Sequence, residues 1–501
     1  MVAVPNRWLV TATILAALVI ALGAAWNPLA TTLVVIAVYM PAMLYIAATR
    51  TDRIFAISLV GLLIGYAFLG KGFAYLGVHP VYIGEIVLAI GCATAAIRGG
   101  IRLAFRSATC WWVLAFGLWG VIRTIPYIGI YQTNAIRDGV IWGYGTFAIL
   151  VAAFLLRTRL VETVPRFYAK YLPFLLLWYP LALLLELSVE NFIPRVPGTE
   201  ASLLDLKSGD VAVHLAGAVA FLLLGLRRMP SDGTQKQSSD VRGAATEMVL
   251  WVLLLFGVVL VSANNRGGLL ALLIAAAIAI PSRPLNSLGR IAIAVSICAV
   301  LVLSDFQIDY GSERGRQISL SQIGDNIASI FVEKDVGDLN NTRQWRIDWW
   351  NTIIDYTVRG DYFFTGKGFG INLADDDGFQ VSEDHSLRSP HNGHLTILAR
   401  AGVPGFALWT CLQASFVISL LRAFLVARRK RNVFWERVNL WILCYWAAFM
   451  VNGAFDVFLE GPQGGIWFWS WFGFGIAAVV YQRRQERWSV STKSDESIVT
   501  S

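Results

Sequence analysis

His391 and His394, in the run Ser389-Pro390-His391-Asn392-Gly393-His394, are the side chains of this chain best suited to move a proton. Ser389 suits a helix N-cap and Pro390 the first helical position. That pattern predicts a helix with His391 in its first turn, ending near the Gly402–Gly405 break. The positive end of a helix disfavours imidazolium, so His391 would stay neutral and able to accept a proton. The same end attracts an anion. At three-residue spacing, His391 and His394 share a helix face. Two other roles fit the same residues: a plain polar start to an interfacial helix, or a histidine pair on zinc. No third ligand follows at convincing spacing, so no metal or cofactor is expected.

An anion would need cations. Asn264-Asn265-Arg266-Gly267-Gly268 forms a very short turn between two apolar runs, with Arg266 at the membrane surface. An arginine there can simply snorkel toward headgroups. Snorkelling is the commoner case, but such an arginine is also well placed to grip a phosphate bidentately, and the glycines allow close approach of a ligand or a helix. Arg123, Arg137 and Lys207 are further basic residues on the same side. Together they could line an anion-binding cavity, although Arg137 could also pair with its neighbour Asp138.

A third region runs from Asn341-Thr342-Arg343-Gln344-Trp345-Arg346 through Asp348-Trp349-Trp350 to Gly366-Lys367-Gly368-Phe369-Gly370. Trp345, Trp349 and Ile353 recur every four residues, which predicts a helix packing an aromatic face, with Arg343 and Arg346 pointing elsewhere. The glycine run lacks a preceding strand and a Lys-Ser/Thr ending, so it reads as a structured turn and not a nucleotide loop. Asp375-Asp376-Asp377 lacks calcium-loop spacing and reads as a solvated acidic patch.

These segments must be held by something, and composition says what. Of 501 residues, 56% are apolar and only 15% charged, against about a quarter charged in soluble chains. Apolar runs of about 18–22 residues recur throughout, each long enough to cross roughly 30 Å of hydrocarbon. The reading is an all-α polytopic membrane protein with about 14 spans (12–14), near 8–25, 29–48, 54–69, 81–97, 110–122, 138–156, 171–187, 211–226, 246–262, 267–281, 291–304, 402–425, 438–454 and 464–481. Residues 1–304 then form one block of spans and 305–401 a large, partly helical extracytoplasmic loop. Residues 402–481 carry the last three spans, and 482–501 a disordered cytoplasmic tail.

Placing both termini in the cytoplasm makes alternate loops basic, from Arg50 and Arg53 to Arg483 and Arg484, as the positive-inside bias requires. The net charge of +8 is therefore a topology signal and not a nucleic-acid signal. The same register puts His79, His214, His385, His391 and His394 at outer loops or outer helix ends. The five cysteines lie in or beside spans, which argues against a disulfide framework.

Taken in order, these motifs resemble the O-antigen ligase and O-antigen polymerase family over most of residues 70–455. His391-Asn392 followed by Gly402 is similar to the family's late signature, and Arg266-Gly267-Gly268 to its earlier one. Asn265 departs from the pattern, because the family usually carries serine there. The resemblance implies a glycosyltransferase of a bacterial cytoplasmic membrane, working at its outer face. Its donor would be a glycan on undecaprenyl diphosphate, and its acceptor a growing glycan or lipid A–core. It further implies Arg266 and Arg137 on the diphosphate and His391 as the base. Arg123, Lys207, His214, Arg343, Asn392 and His394 would take supporting positions, and His394 is the alternative base.

A transporter or flippase of lipid-linked oligosaccharide is the rival reading. It predicts internal repeats and ionisable residues near the midplane, whereas no convincing repeat is present and the large loop sits late and alone.

Overall fold

The computed structural model describes residues 50–78, 80–189, 192–229, 241–282 and 337–499. The expected spans 8–25, 29–48 and 291–304 and His79 lie outside these residues. The described chain is a helical bundle with one two-stranded hairpin, Gly77–Val78 paired with Val81–Tyr82. Its longer helices are α1 (Arg50–Leu69), α2 (Ile83–Arg98), α3 (Ala108–Tyr131), α4 (Thr133–Gly143), α5 (Gly145–Thr158) and α6 (Thr163–Val189). There follow α7 (Ser208–Leu223), α8 (Val241–Asn264), α9 (Arg266–Ala279), α10 (Gly337–Val358), α11 (Gly393–Arg429), α12 (Val433–Gly453) and α13 (Pro462–Val499).

Among the described residues, six helices are long and apolar enough to cross a membrane, or seven if the bent pair α4–α5 is one span. That is the signature of an all-α membrane protein, with fewer qualifying helices than the sequence reading expects. The shortfall has a geometric part. The spans expected at 211–226 and 267–281 correspond to helices of 16 and 14 residues. At 1.5 Å per residue these reach only about 21–24 Å, short of the ~30 Å hydrocarbon layer. The tail expected to be disordered is instead a continuation of α13 through Val499.

Local chemistry sets the helix ends. Ser107, Asn265, Asn392 and Asn432 each cap a helix with a side-chain oxygen that accepts a backbone N–H from the first turn. The core is aromatic: Trp441 meets Tyr168, Phe221, Trp471 and Phe474, while Phe416 stacks on Phe472. α13 lies directly on α5, where a Cβ at Gly473 would come within 2.6 Å of the Ala148 carbonyl oxygen.

Basic residues gather at one end of the bundle. Arg157 pairs with Asp52, Arg98 donates to Thr51, Lys430 pairs with Glu486, and Arg106 and Arg159 lie near Arg484. The N-termini of α7, α9, α11 and α13 and the C-terminus of α12 come together separately, and that end holds the candidate site.

α10 lies across this second end. Trp349 and Ile353 are fully buried against Leu373, Leu398 and Ala399, as their four-residue spacing predicts. The glycine run after α10 repairs a break in α11. Gly402 has φ +69°, which interrupts the helix after Ala401. The carbonyls of Ala399 and Arg400 freed there accept from Lys367 N and Gly368 N, at 2.7 and 3.0 Å. Gly366 needs its own positive φ and missing side chain, because a Cβ would lie 2.5 Å from the Arg400 carbonyl carbon.

Candidate active site

His391 does not sit in the first turn of a helix. Asn392 is the N-cap of α11, its Oδ1 accepting from His394 N at 3.0 Å and Leu395 N at 3.1 Å. Ser389, expected as the cap, is buried three residues before the observed cap, beside Glu460. Asparagine caps as well as serine does, and once Asn392 holds the first amides Pro390 and His391 fall outside. His391 takes a left-handed backbone, φ +52°. Such a conformation is strained for a residue with a side chain and is held only by its surroundings. One such hold is Trp350 of α10, whose indole donates to the Pro390 carbonyl at 2.9 Å.

The imidazole of His391 is one-third exposed, and its Nδ1 lies 4.0 Å from Oδ1 of Asp456 in the α12–α13 loop. Among the described residues no other group is paired with the ring. His394 has the opposite fate and does not share a face with His391. Its Nε2 lies 3.0 Å from the Met450 carbonyl, and its Nδ1 accepts from Trp409 at 3.2 Å. Both of its ring nitrogens are occupied within the protein.

Asp456 gathers cations. Lys207, just before α7, lies near Asp456, Asp210 and Asp205. Burial opposes its charge, but these carboxylates outweigh burial and hold it above the ordinary lysine range. Burial likewise pushes the Asp456 carboxyl up, yet His391, Lys207 and the Val457 N–H keep it below the usual carboxylate value. Arg346 of α10 donates to the Phe455 carbonyl at 3.4 Å and also feels Asp456, while its burial lowers its pKa. Arg266 opens α9, which Asn265 caps by accepting from Gly268 N at 2.7 Å. A Cβ on Gly267 would lie 2.9 Å from Cβ of Phe455, so the bare glycine lets this helix start approach the Asp456 loop. His391, Lys207 and Arg346 thus converge on residues 455–456, and the helix start that carries Arg266 packs against Phe455.

Other expected site residues are placed elsewhere. His214 is buried inside the bundle, where Trp467 donates to its Nδ1 at 2.6 Å and the Tyr445 hydroxyl lies 2.5 Å from the same nitrogen. It is one of the aromatic core's polar links and does not reach His391. Arg123 donates to the Thr365 carbonyl at 2.7 Å and lies over Tyr127, which fastens the 363–368 turn. Arg137 is exposed and does not pair with Asp138. Asp138 instead accepts from Gly370 N, Arg388 and Arg400, at 3.0, 3.1 and 3.0 Å. Arg343 is exposed on α10. Within the acidic run Asp375 and Asp376 are exposed as expected, whereas the Asp377 side chain is fully buried and binds Lys367 at 2.5 Å and Trp349 at 2.6 Å.

Sequence reasoning passed over Asp456. Its signal is slight: one of two acids in the apolar loop Phe455-Asp456-Val457-Phe458-Leu459-Glu460 between the last two spans.

The site and the bundle define a polytopic helical membrane protein with an imidazole–carboxylate pair ringed by cations. Residues 251–410 of the chain match the family model described as O-antigen ligase, and the match supports the O-antigen ligase and polymerase family. The matched segment contains Arg266, Arg346 and His391, whereas Lys207 and Asp456 lie outside it. No curated protein matches the chain.

Proposed function

We propose that the protein is an inverting glycosyltransferase that needs no metal. In this reading it moves a glycan from undecaprenyl diphosphate to an acceptor hydroxyl at the outer face of the cytoplasmic membrane. The observation that carries the reading is the accessible His391 ring beside Asp456, with Lys207 and Arg346 acting on the same carboxylate and the Arg266 helix start packed against the adjoining Phe455. The acceptor oxygen attacks the anomeric carbon, the bond from that carbon to the diphosphate oxygen breaks, and Nε2 of His391 takes the hydroxyl proton. The bonding electrons leave with the diphosphate, whose charge the three cations neutralise as preorganised clamps. Asp456 positions the imidazole and stabilises its protonated form, and proton transfer of this kind typically contributes about 10²–10⁴-fold. Attack from the face opposite the leaving group inverts the anomeric centre. The clustering of Arg106, Arg157, Arg159, Arg428, Arg429 and Lys430 at the other end of the bundle supports a cytoplasmic placement for that end.

The test is transfer by the purified full-length protein from a lipid-linked glycan to a panel of acceptors in EDTA, with the product's anomeric configuration read by NMR. Inverted product from wild type, lost in His391→Ala and Arg266→Ala, supports the reading. Retained configuration or full activity in His391→Ala contradicts it.

A further inference from the structure

α10 reaches both members of the His391–Asp456 pair without touching either ring or carboxylate. One face of this helix is anchored: Trp349 and Ile353 are fully buried against Leu373, Leu398 and Ala399, and the Trp349 indole donates to Asp377 at 2.6 Å. The neighbouring face carries Arg346 and Trp350, one above the other and roughly 6 Å apart along the axis. Trp350 donates to the Pro390 carbonyl at 2.9 Å, and Nη1 of Arg346 donates to the Phe455 carbonyl at 3.4 Å. Pro390 immediately precedes His391, and Phe455 immediately precedes Asp456.

A carbonyl oxygen lies in the same rigid peptide plane as the nitrogen and Cα of the residue that follows it. Each bond from α10 therefore fixes the plane from which the His391 or Asp456 backbone departs. His391 needs such a hold, because its φ of +52° is a conformation that a residue with a side chain leaves when released. Relaxing to the ordinary negative range would turn the side chain by more than about 100° relative to that plane. The imidazole would then no longer face Asp456, whose Oδ1 now stands 4.0 Å from its Nδ1.

α10 is docked by Trp349 and Ile353, so the bonds from Arg346 and Trp350 are not what keeps the helix in place. What they hold is the two loops. We propose that α10 is a spacer that sets the separation and facing of His391 and Asp456, and that Trp350 is a positioning residue acting on His391 through the Pro390 carbonyl. Its effect on rate rests on the glycosyltransferase reading, whereas the hold on the His391 backbone can be measured without transfer.

The experiment uses full-length protein in lipid nanodiscs and two variants. Trp350→Phe loses the N–H and keeps a ring, while Trp350→His offers an Nε2–H at the same distance from the backbone. Diethyl pyrocarbonate modification of each histidine, read by mass spectrometry, reports the hold directly. Trp350→Phe should change the rate at His391 by about threefold or more, as the loss of one hydrogen bond allows. His214 and His394, whose rings are bonded inside the protein, should not change. An unchanged rate at His391, or an equal rise at all three histidines, overturns the proposal. In a transfer assay, kcat of Trp350→Phe should fall by about five- to tenfold with neither KM moving, and Trp350→His should keep most of it. In a His391→Ala background the same Trp350→Phe change should cost nothing further, because a residue that acts through His391 has nothing left to act on. An equal loss with and without His391, wild-type kcat in Trp350→Phe, or a Trp350→His protein as slow as Trp350→Phe overturns the positioning role. A wild type that transfers nothing fells the transferase reading alone, and the modification rates then decide whether α10 holds His391.

Discussion

Asp377 and Asp456 are both carboxylates at the same end of the bundle, and their surroundings differ in kind. Asp377 is fully buried and gripped by Lys367 and Trp349, with the Tyr356 hydroxyl 3.4 Å away, and Lys367 lies over the Tyr356 ring at 4.3 Å. Asp138, held by Arg388, Arg400 and an amide, is closed in the same way. Asp456 has an imidazole at 4.0 Å that remains one-third exposed, with cations around it. The first arrangement fixes where the loop after α10 lies. The second leaves capacity for a ligand. Charge alone does not mark the site; a partly exposed imidazole beside the carboxylate does.

Opening the closed cluster around Asp377 should have the largest effect. Asp377→Ala leaves the mostly buried Lys367 short of a main partner, and removing one member of a buried pair typically costs about 3–5 kcal/mol. Thermal unfolding should register that loss, and limited proteolysis should show residues 359–390 exposed. Asp456→Asn should do the reverse, lowering transfer by less than the ~10²–10⁴ expected of the base itself while moving the melting temperature little.

His394→Phe sharpens the contrast between the two histidines. It removes two buried hydrogen bonds worth about 1 kcal/mol each, so stability falls by about 2 kcal/mol while kcat per folded molecule holds. Asn265→Ala removes a cap and should cost about 1 kcal/mol, whereas Asn265→Ser should be close to neutral. Denaturation midpoints for the pair check both values.

The smallest effect is with pH. Asp456 is depressed below its ordinary 3.8. Its stabilisation is therefore present above that value and lost as pH falls through the lower, folded one. Lys207 is raised above 10.5, so its contribution is present below that value and lost only as pH rises beyond it. Between about pH 5 and 9 the pair stays charged, so its own contribution to stability does not change in that window.

The sequence carried part of this. His391, Arg266 and the amphipathic face of α10 stood out because residue type and spacing encode them locally. The aromatic face packs as its periodicity implies, and Asn265, the departure from the family pattern, is a cap that serine would also provide. What escaped was pairing at a distance. Asp138 prefers Arg388 and Arg400, some 250 residues on, to its neighbour Arg137. Asp377 looks solvated until Lys367 is folded onto it. His214 sits near a helix end in sequence but is drawn into the core by Tyr445 and Trp467, which the chain reaches only at its last two spans. Short helices also defeat a count of spans based on apolar runs.

The central claim is that His391, held by Asp456, takes the acceptor's proton. Single-turnover transfer by His391→Ala, with and without added imidazole, tests it most directly. The account predicts a loss of about 10²–10⁴-fold that imidazole partly restores, in protein that melts as wild type does. Transfer at the wild-type rate in His391→Ala without imidazole would contradict it.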